Sequence, residues 1–423
     1  MGEFGLFEQF HGNSKKKNKT LNKRWAIVSI ASIPLVMTLG NSMLIPVLPS
    51  MEREFNITSL QSSLIITVYS IVAIIFIPLA GYLSDKWGRK VIIIPSLILT
   101  AIGGLLSALA IWKMKDPYGL ILIGRALQGI GAAGAFPIVL PLVGDMFHRD
   151  DEISSTLGVI ETSNTLGKVL SPILGAFLAS FFISLPFFSI PVFSTISLLM
   201  MVFLVKCPKV KDAPPLSEFF NGIKITFRHN HQWLIAVFII GGILMFVLFG
   251  VLFYLSNILE TIYKIGDIKK GFMLAIPLGA LCLSSYITGK KIKEDKTLMK
   301  RIIFFGLVML AIAVFFLSFT KNLWLSISLF VFVGIGIGIG LPCLDALITQ
   351  GIEKEKRGTI TSLYSSMRFI GVALGPPILA ILLKSLDQYI FYILTGICIL
   401  TALVCIVWIR PEKEEEDSFL EKF

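Results

Sequence analysis

Charge is scarce in this chain. Of its 423 residues only 15% are charged and 55% are hydrophobic, whereas a soluble domain carries about 25% charged residues. With a mean hydropathy of +0.82, a water-soluble fold is excluded and a lipid solvent is required. Histidine is nearly absent. The four, His11, His148, His229 and His231, fall outside the apolar runs, so neither a histidine metal site nor an intramembrane histidine relay is available. The five cysteines, Cys207, Cys282, Cys343, Cys398 and Cys405, show no metal-ligand spacing, and free, buried thiols are expected. Ten-residue segments of alternating hydropathy are missing, which argues against a barrel. There is no P-loop, nucleophile elbow or Gly-rich nucleotide fingerprint in a strand–turn–helix setting. ATP is therefore not the evident energy source, and an enzyme would lack a convergent nucleophile, base or metal set. No cofactor and no metal are expected.

What is present is a succession of apolar windows, each about 20 residues long, as a spanning helix requires. They fall at 25–48, 60–83, 90–112, 119–146, 154–180 and 186–206, then at 233–257, 270–289, 301–319, 323–349, 359–384 and 387–409. The fold class that follows is an all-α membrane protein of 12 transmembrane helices in two six-helix bundles. With the amino terminus inside, 27 Lys and Arg residues lie in the inner tails and turns and 8 in the outer turns. Positive loops stay cytoplasmic, so a multi-pass protein of the cell membrane with both termini cytoplasmic is expected. The net charge of +11 is then a topological bias spread over separate loops, and nucleic acid is not expected as a partner. A run of Lys15, Lys16, Lys17 and Lys19 without an apolar core is no signal peptide and suits contact with anionic headgroups.

The segments divide into a cytoplasmic tail at 1–24, a first bundle at 25–206, a linker at 207–232, a second bundle at 233–409 and a cytoplasmic tail at 410–423. The linker places Phe219, Phe220, Ile223 and Phe227 at helical spacing beside Lys224 and Arg228, a pattern that fits the inner membrane surface. A short internal repeat is also visible. At an offset of 204, Gly167, Leu170, Pro172, Ala176 and Leu178 fall on Gly371, Leu374, Pro376, Ala380 and Leu382. Apolar chains match by chance, yet these segments hold the same rank in each half, as parallel repeats would.

After the second span the chain reads GYLSDKWGRK, with Gly81, Leu83, Asp85, Gly88, Arg89 and Lys90. Gly81 and Gly88 allow close approach and a tight turn, Asp85 is placed at the amino end of the third span, and Arg89 can pair with an acid. These residues resemble the loop signature of the major facilitator superfamily, in its 12-helix drug/proton antiporter branch. The resemblance implies that the loop is a conformational latch. Asp85, Arg89 and Asp145 would form a charge relay that stabilises the state closed to the cytoplasm, with the region of Arg357 and Gly358 docking on Asp85. In the second half only Gly289 and the basic turn Lys290, Lys291 and Lys293 correspond.

Span four opens with Arg125, Gln128, Gly129, Gly131, Ala132 and Ala133, which fit a second pattern of the same family. An arginine in lipid must face protein, water or a carboxylate. It either holds helices together or tunes the proton affinity of a nearby acid. Span five carries Gly158, Gly167, Pro172 and Gly175, similar to the signature of the family's antiporters, although Ser171 and Ala176 replace two of its glycines.

Glu161 and Lys168 share nearly one face of that span. They form either a structural ion pair or, at Glu161, a desolvated acid able to load and release a proton. Asp345 is a second proton-coupling candidate, with Arg125 as their modulator. Span one has Asn41, Pro46 and Pro49 but no acid. Three buried cations, Arg125, Lys168 and Arg368, face two acids, which keeps an anionic, zwitterionic or lipid-like substrate open. Substrate-cavity candidates are Asn41, Tyr69, Gln128, Glu161, Lys168, Met245 and Arg368, with Met43, Phe136, Phe246 and Tyr254 as further apolar candidates; aromatic and Met residues of this kind are more often core or lipid-facing.

The resemblance implies a proton-coupled secondary active transporter, multidrug-efflux-like, that exports small amphipathic molecules by alternating access and draws on the proton gradient. Its partners would be a small-molecule substrate, protons and the lipid bilayer, and it would act as a monomer. The alternatives are an exporter or flippase of an anionic, lipid-like or siderophore-type substrate, a symporter, or a non-transporting membrane sensor.

Overall fold

A computed structural model describes the backbone of residues 3–147, 150–207, 231–292, 295–320, 322–352, 354–386 and 389–409. The side chains of residues 3–22 and 354–359 lie outside the description, as do those of residues 150, 151, 154, 155, 231 and 267. All regular structure among these residues is helical.

Helix α1, Glu3–Ser42, begins well before the first apolar window. Pro46 and Pro49 then break it, because proline offers no N–H to the preceding turn. A 3-10 turn at Ile45–Val47 leads into α2, Leu48–Phe55, which ends at Asn56 in the left-handed region with φ 51°. Thr58 starts α3, Ser59–Trp87, with a capping box to Gln61. Four further helices complete the first half, α4 Arg89–Lys113, α5 Tyr118–Met146, α6 Asp150–Ala179 and α7 Leu185–Leu204, and α8, His231–Thr261, opens the second. Helices α9 Asp267–Lys291, α10 Lys296–Leu317, α11 Leu323–Gly351, α12 Lys354–Ser385 and α13 Ile390–Trp408 follow.

Among the described residues, eleven stretches are long and apolar enough to cross a membrane. The twelfth long helix, α6, is not among them, since Glu161, Thr162, Ser163, Asn164, Thr165 and Lys168 interrupt its apolar run. It nonetheless runs the length of the bundle, packed against α1 and α9.

Packing repeats between the halves. In the first, α1 lies on α6, α3 and α4 on α5, and α4 on α7; in the second, α8 lies on α12, α9 and α10 on α11, and α10 on α13. These are the same pairs by rank. The 204-residue offset has a structural counterpart in two glycines. A Cβ on Gly167 would press on Leu35 O at 3.3 Å in α1, and one on Gly371 would meet Gly242 O at 2.0 Å in α8. Across the halves, α3 packs on α12 and α6 on α9.

The halves share one apolar core at the end opposite the termini, where Leu44, Val47, Leu48 and Met51 join Leu248, Leu252 and Leu255. Toward the end that holds the termini, the first half has a core of its own, around Ile30, Ile33, Ile93, Val143 and Phe147, with Phe369 of α12 at its margin. The cysteines are free, Cys343, Cys398 and Cys405 buried but Cys207 and Cys282 only partly so. The amphipathic pattern at 219–228, and Lys293, lie outside the described residues.

Candidate functional site between the bundles

A central cavity of about 80 Å³ lies between the halves. Of the residues expected there, Asn41, Tyr69, Phe136, Lys168, Met245 and Arg368 line it. Gln128 and Glu161 do not. Met43 is fully buried, accepting from Ser189 Oγ, and Tyr254 packs edge-on to Phe391 at 4.9 Å; Phe246 is also core. The lining also includes Thr38, Asn164, Phe249, Ser365 and Phe369, small or ordinary side chains whose position on the cavity face gives no sequence signal.

No ion pair joins Glu161 to Lys168. Glu161 instead accepts from Asn164 Nδ2 at 3.3 Å, and Thr38 Oγ1 donates to Asn164 Oδ1 at 2.6 Å. Lys168 is 7% exposed and lines the cavity. Arg368 meets Asp345 at 3.5 Å and lies over the Tyr364 ring at 5.7 Å. The four ionisable groups thus come from α6, α11 and α12, two of them from each half.

Arg125 differs from the expectation of a residue that tunes an acid. It is wholly buried, and its contacts are neutral: it donates to Ile65 O at 2.8 Å, to Gly40 O at 3.1 Å and to the side-chain oxygens of Gln128 and Asn41, with the Tyr69 ring 4.5 Å away. The fork of a guanidinium satisfies several fixed acceptors at once. Arg125 therefore ties α1, α3 and α5 together, and it fixes Asn41 and Gln128 in doing so. Gly129 seats α5 against Tyr69 O, where a Cβ would lie at 2.4 Å.

At the end bearing the termini, Arg89 pairs with Asp85, contacts Asp145 at 3.0 Å and donates to Ser84 Oγ at 2.7 Å. The three residues expected to form the relay are in contact. Two details depart from expectation. Asp85 lies in the last turn of α3, not at the amino end of the next helix; there the dipole disfavours a carboxylate, and Arg89 compensates. Gly81 is not tightly packed, since a Cβ there would meet only Ser362 Oγ at 3.7 Å. Gly88, with φ 105°, makes the turn. Lys90 donates to Val202 O and Val205 O at 2.8 and 2.7 Å, capping the end of α7. The side chain of Arg357, and the docking assigned to it and Gly358, lie outside the described residues.

On α6 the glycine signature divides. Gly175 sits where a Cβ would be 2.0 Å from Met43 O, and Pro172 O lies against Gly271 of α9, whereas Gly158 has nothing within 4 Å of an added Cβ. Close packing is needed at the end opposite the termini and not at the other.

That opposite end holds a cluster which sequence reasoning missed. Glu260 of α8 accepts from Lys270 of α9 and from Arg53 of α2, and Ser50 Oγ approaches it at 3.5 Å. Ser256 Oγ donates to Ile45 O at 3.1 Å nearby. These residues look like ordinary turn charges in sequence, and only the fold of α2 back onto α8 joins them.

The Major Facilitator Superfamily profile matches residues 30–376 and 295–423. The bacillibactin exporter of Bacillus subtilis (strain 168) is 53% identical over 394 residues, covering 93% of this chain and 98% of that protein. Multidrug resistance protein 2 of the same organism is 25% identical over 419 residues, 96% of this chain and 100% of that one. Among solved structures, the human organic anion transporter MFSD10 (TETRAN) superposes with a TM-score of 0.71 over 90% of this chain and 99% of its own, at 17% identity, a likeness of fold.

Proposed function

Since this chain belongs to the Major Facilitator Superfamily of multi-pass membrane transporters, we propose that it is a proton-coupled exporter of small amphipathic molecules working by alternating access. The observation that carries this reading is the placement of Lys168 and Arg368, one from each half, on the central cavity, with Asp345 against Arg368 and Glu161 against the cavity residue Asn164. Intramembrane charges are expensive and mark ion or substrate paths. The end bearing the termini is cytoplasmic, on the strength of the Lys and Arg bias. Glu161 is the first proton carrier and Asp345 the second, and the protein acts as a monomer. With the end opposite the termini sealed by a shared core, exchange of the open end requires the two halves to rock about the cavity.

The similarity to a bacillibactin exporter favours a siderophore-type cargo over a broad drug spectrum. Proteoliposomes with an imposed pH gradient decide both points, with bacillibactin and ethidium as alternative cargoes. Gradient-driven accumulation is expected, and Glu161→Gln should abolish it while partly sparing exchange without a gradient. Accumulation by the Gln variant with unchanged pH dependence would transfer the proton role to Asp345, and absence of any gradient-driven flux would refute the exporter reading.

A further inference from the structure

Lys168 is the most unusual charge in the cavity. Its side chain is more than nine-tenths buried, yet among the described residues it makes no hydrogen bond or ion pair. Glu161, about two turns away on the same helix, turns to Asn164 instead. An ammonium taken out of water without a partner is strongly disfavoured, so a buried lysine of this kind needs an anion or water to complete it. The second cation on the same cavity, Arg368, spends one N–H on Asp345 at 3.5 Å, a long contact that leaves most of a five-donor guanidinium facing the space between the halves. Below them Arg125 adds a third buried charge whose partners are all neutral, and its acceptor Asn41 belongs to the cavity wall.

Around these cations the wall is apolar and aromatic. Tyr69 and Phe369 stack in a tilted pair at 6.3 Å, and Phe136, Phe249 and Met245 continue it. The cavity in this state is smaller than the roughly 300–1,000 Å³ of a drug-sized site. The polar end of a site is thus in place, while room for a whole molecule requires the halves to part.

We propose that Lys168 of the first half and Arg368 of the second form an anion-recognition site for the cargo, whose chemical class is an aromatic, amphipathic anion with its acidic group held between the halves. This rests on the exporter reading and adds the sign of the substrate to it. An acidic group bridging two cations on separate halves links them, so binding couples the two halves to each other. A cationic cargo would instead meet two like charges in a poorly screened space.

The test uses full-length protein and three probes that share one fluorophore: dansylglycine, an anion; dansylamide, neutral; and dansylcadaverine, a cation. Dansylglycine is expected to bind at least about tenfold more tightly than the other two, the size of one well-made charged contact. Lys168→Ala should remove that preference while changing dansylamide affinity by less than about twofold, and Lys168→Arg should keep it, because the charge is retained. Equal affinities for the three probes, preference for the cation, lack of saturable dansylglycine binding, or an equal loss for all three in Lys168→Ala would each overturn the proposal. Should the Ala variant fail to fold, the three-probe comparison in the parent and in Lys168→Arg still decides. Saturable anion binding without gradient-driven flux in proteoliposomes would sink the exporter reading and leave the site standing. Flux of the cationic probe without anion preference would do the reverse.

Discussion

Arg53→Gln should loosen the seal at the end of the bundle opposite the termini. Arg53 sits on the short helix α2 of the first half, and its partner Glu260 ends α8 of the second. Glu260 is 6% exposed, but Arg53 is 66% exposed. The exposed side weakens the pair by solvent screening, toward the 0.2–1 kcal/mol or so of surface pairs, while the buried carboxylate raises it toward the roughly 1.5–3 kcal/mol of hydrogen bonds to charged groups. About 1 kcal/mol is a reasonable middle, and one or two kcal/mol moves a two-state population by about 5- to 30-fold. Lys270 and Glu260 belong to adjacent helices of one half, so that contact persists when the halves part. The Arg53 link must break, along with the Ser50–Glu260 contact and the Ser256–Ile45 hydrogen bond, and it is the only ion pair among these three. Spin labels at Glu54 and Ile262, both exposed, report the opening as a distance distribution by double electron–electron resonance. Arg53→Gln is expected to move population several-fold toward the longer distance, and the restoring effect of substrate or low pH should then be measurable against it. An unchanged distribution in both Arg53→Gln and Glu260→Gln would show that the apolar core alone seals this end.

Asp85→Asn and Arg89→Ala should slow turnover while leaving ligand affinity within about twofold, because the half-buried Arg89, screened through its more exposed carboxylate partners, biases conformation by about 1 kcal/mol per pair and does not touch the cavity. Collapse of affinity with normal turnover at saturation would refute the latch. Arg125→Leu should lower thermal stability by at least about 3 kcal/mol, since it strands the buried oxygens of Asn41 and Gln128 and removes two backbone bonds. Arg125→Lys should restore only part of it, lacking the fork; a melting temperature equal to the parent's in the Leu variant would contradict the account.

Much of this protein is legible in its sequence. A helix that crosses lipid must satisfy its own backbone and present apolar side chains along its whole length, so the spans stand out without knowledge of their neighbours. Even α6, whose polar middle weakens that signal, is found by its place between flanking turns. The Arg89 loop is legible because its residues are close in sequence and belong to one tight turn, although Asp145 and the carbonyls of Val202 and Val205 are distant partners. What the sequence leaves open is every choice that depends on which helices meet. Glu161 and Lys168 share a face of α6, yet Asn164 and Thr38 draw the carboxylate away from the ammonium. Arg125 has acids available by composition and takes neutral oxygens from α1 and α3 instead. Arg53, Ser50, Glu260 and Lys270 join only because α2 folds back across the halves. Hydropathy is a property of each segment by itself, whereas a buried charge is settled by whichever partner the tertiary packing places within hydrogen-bond reach.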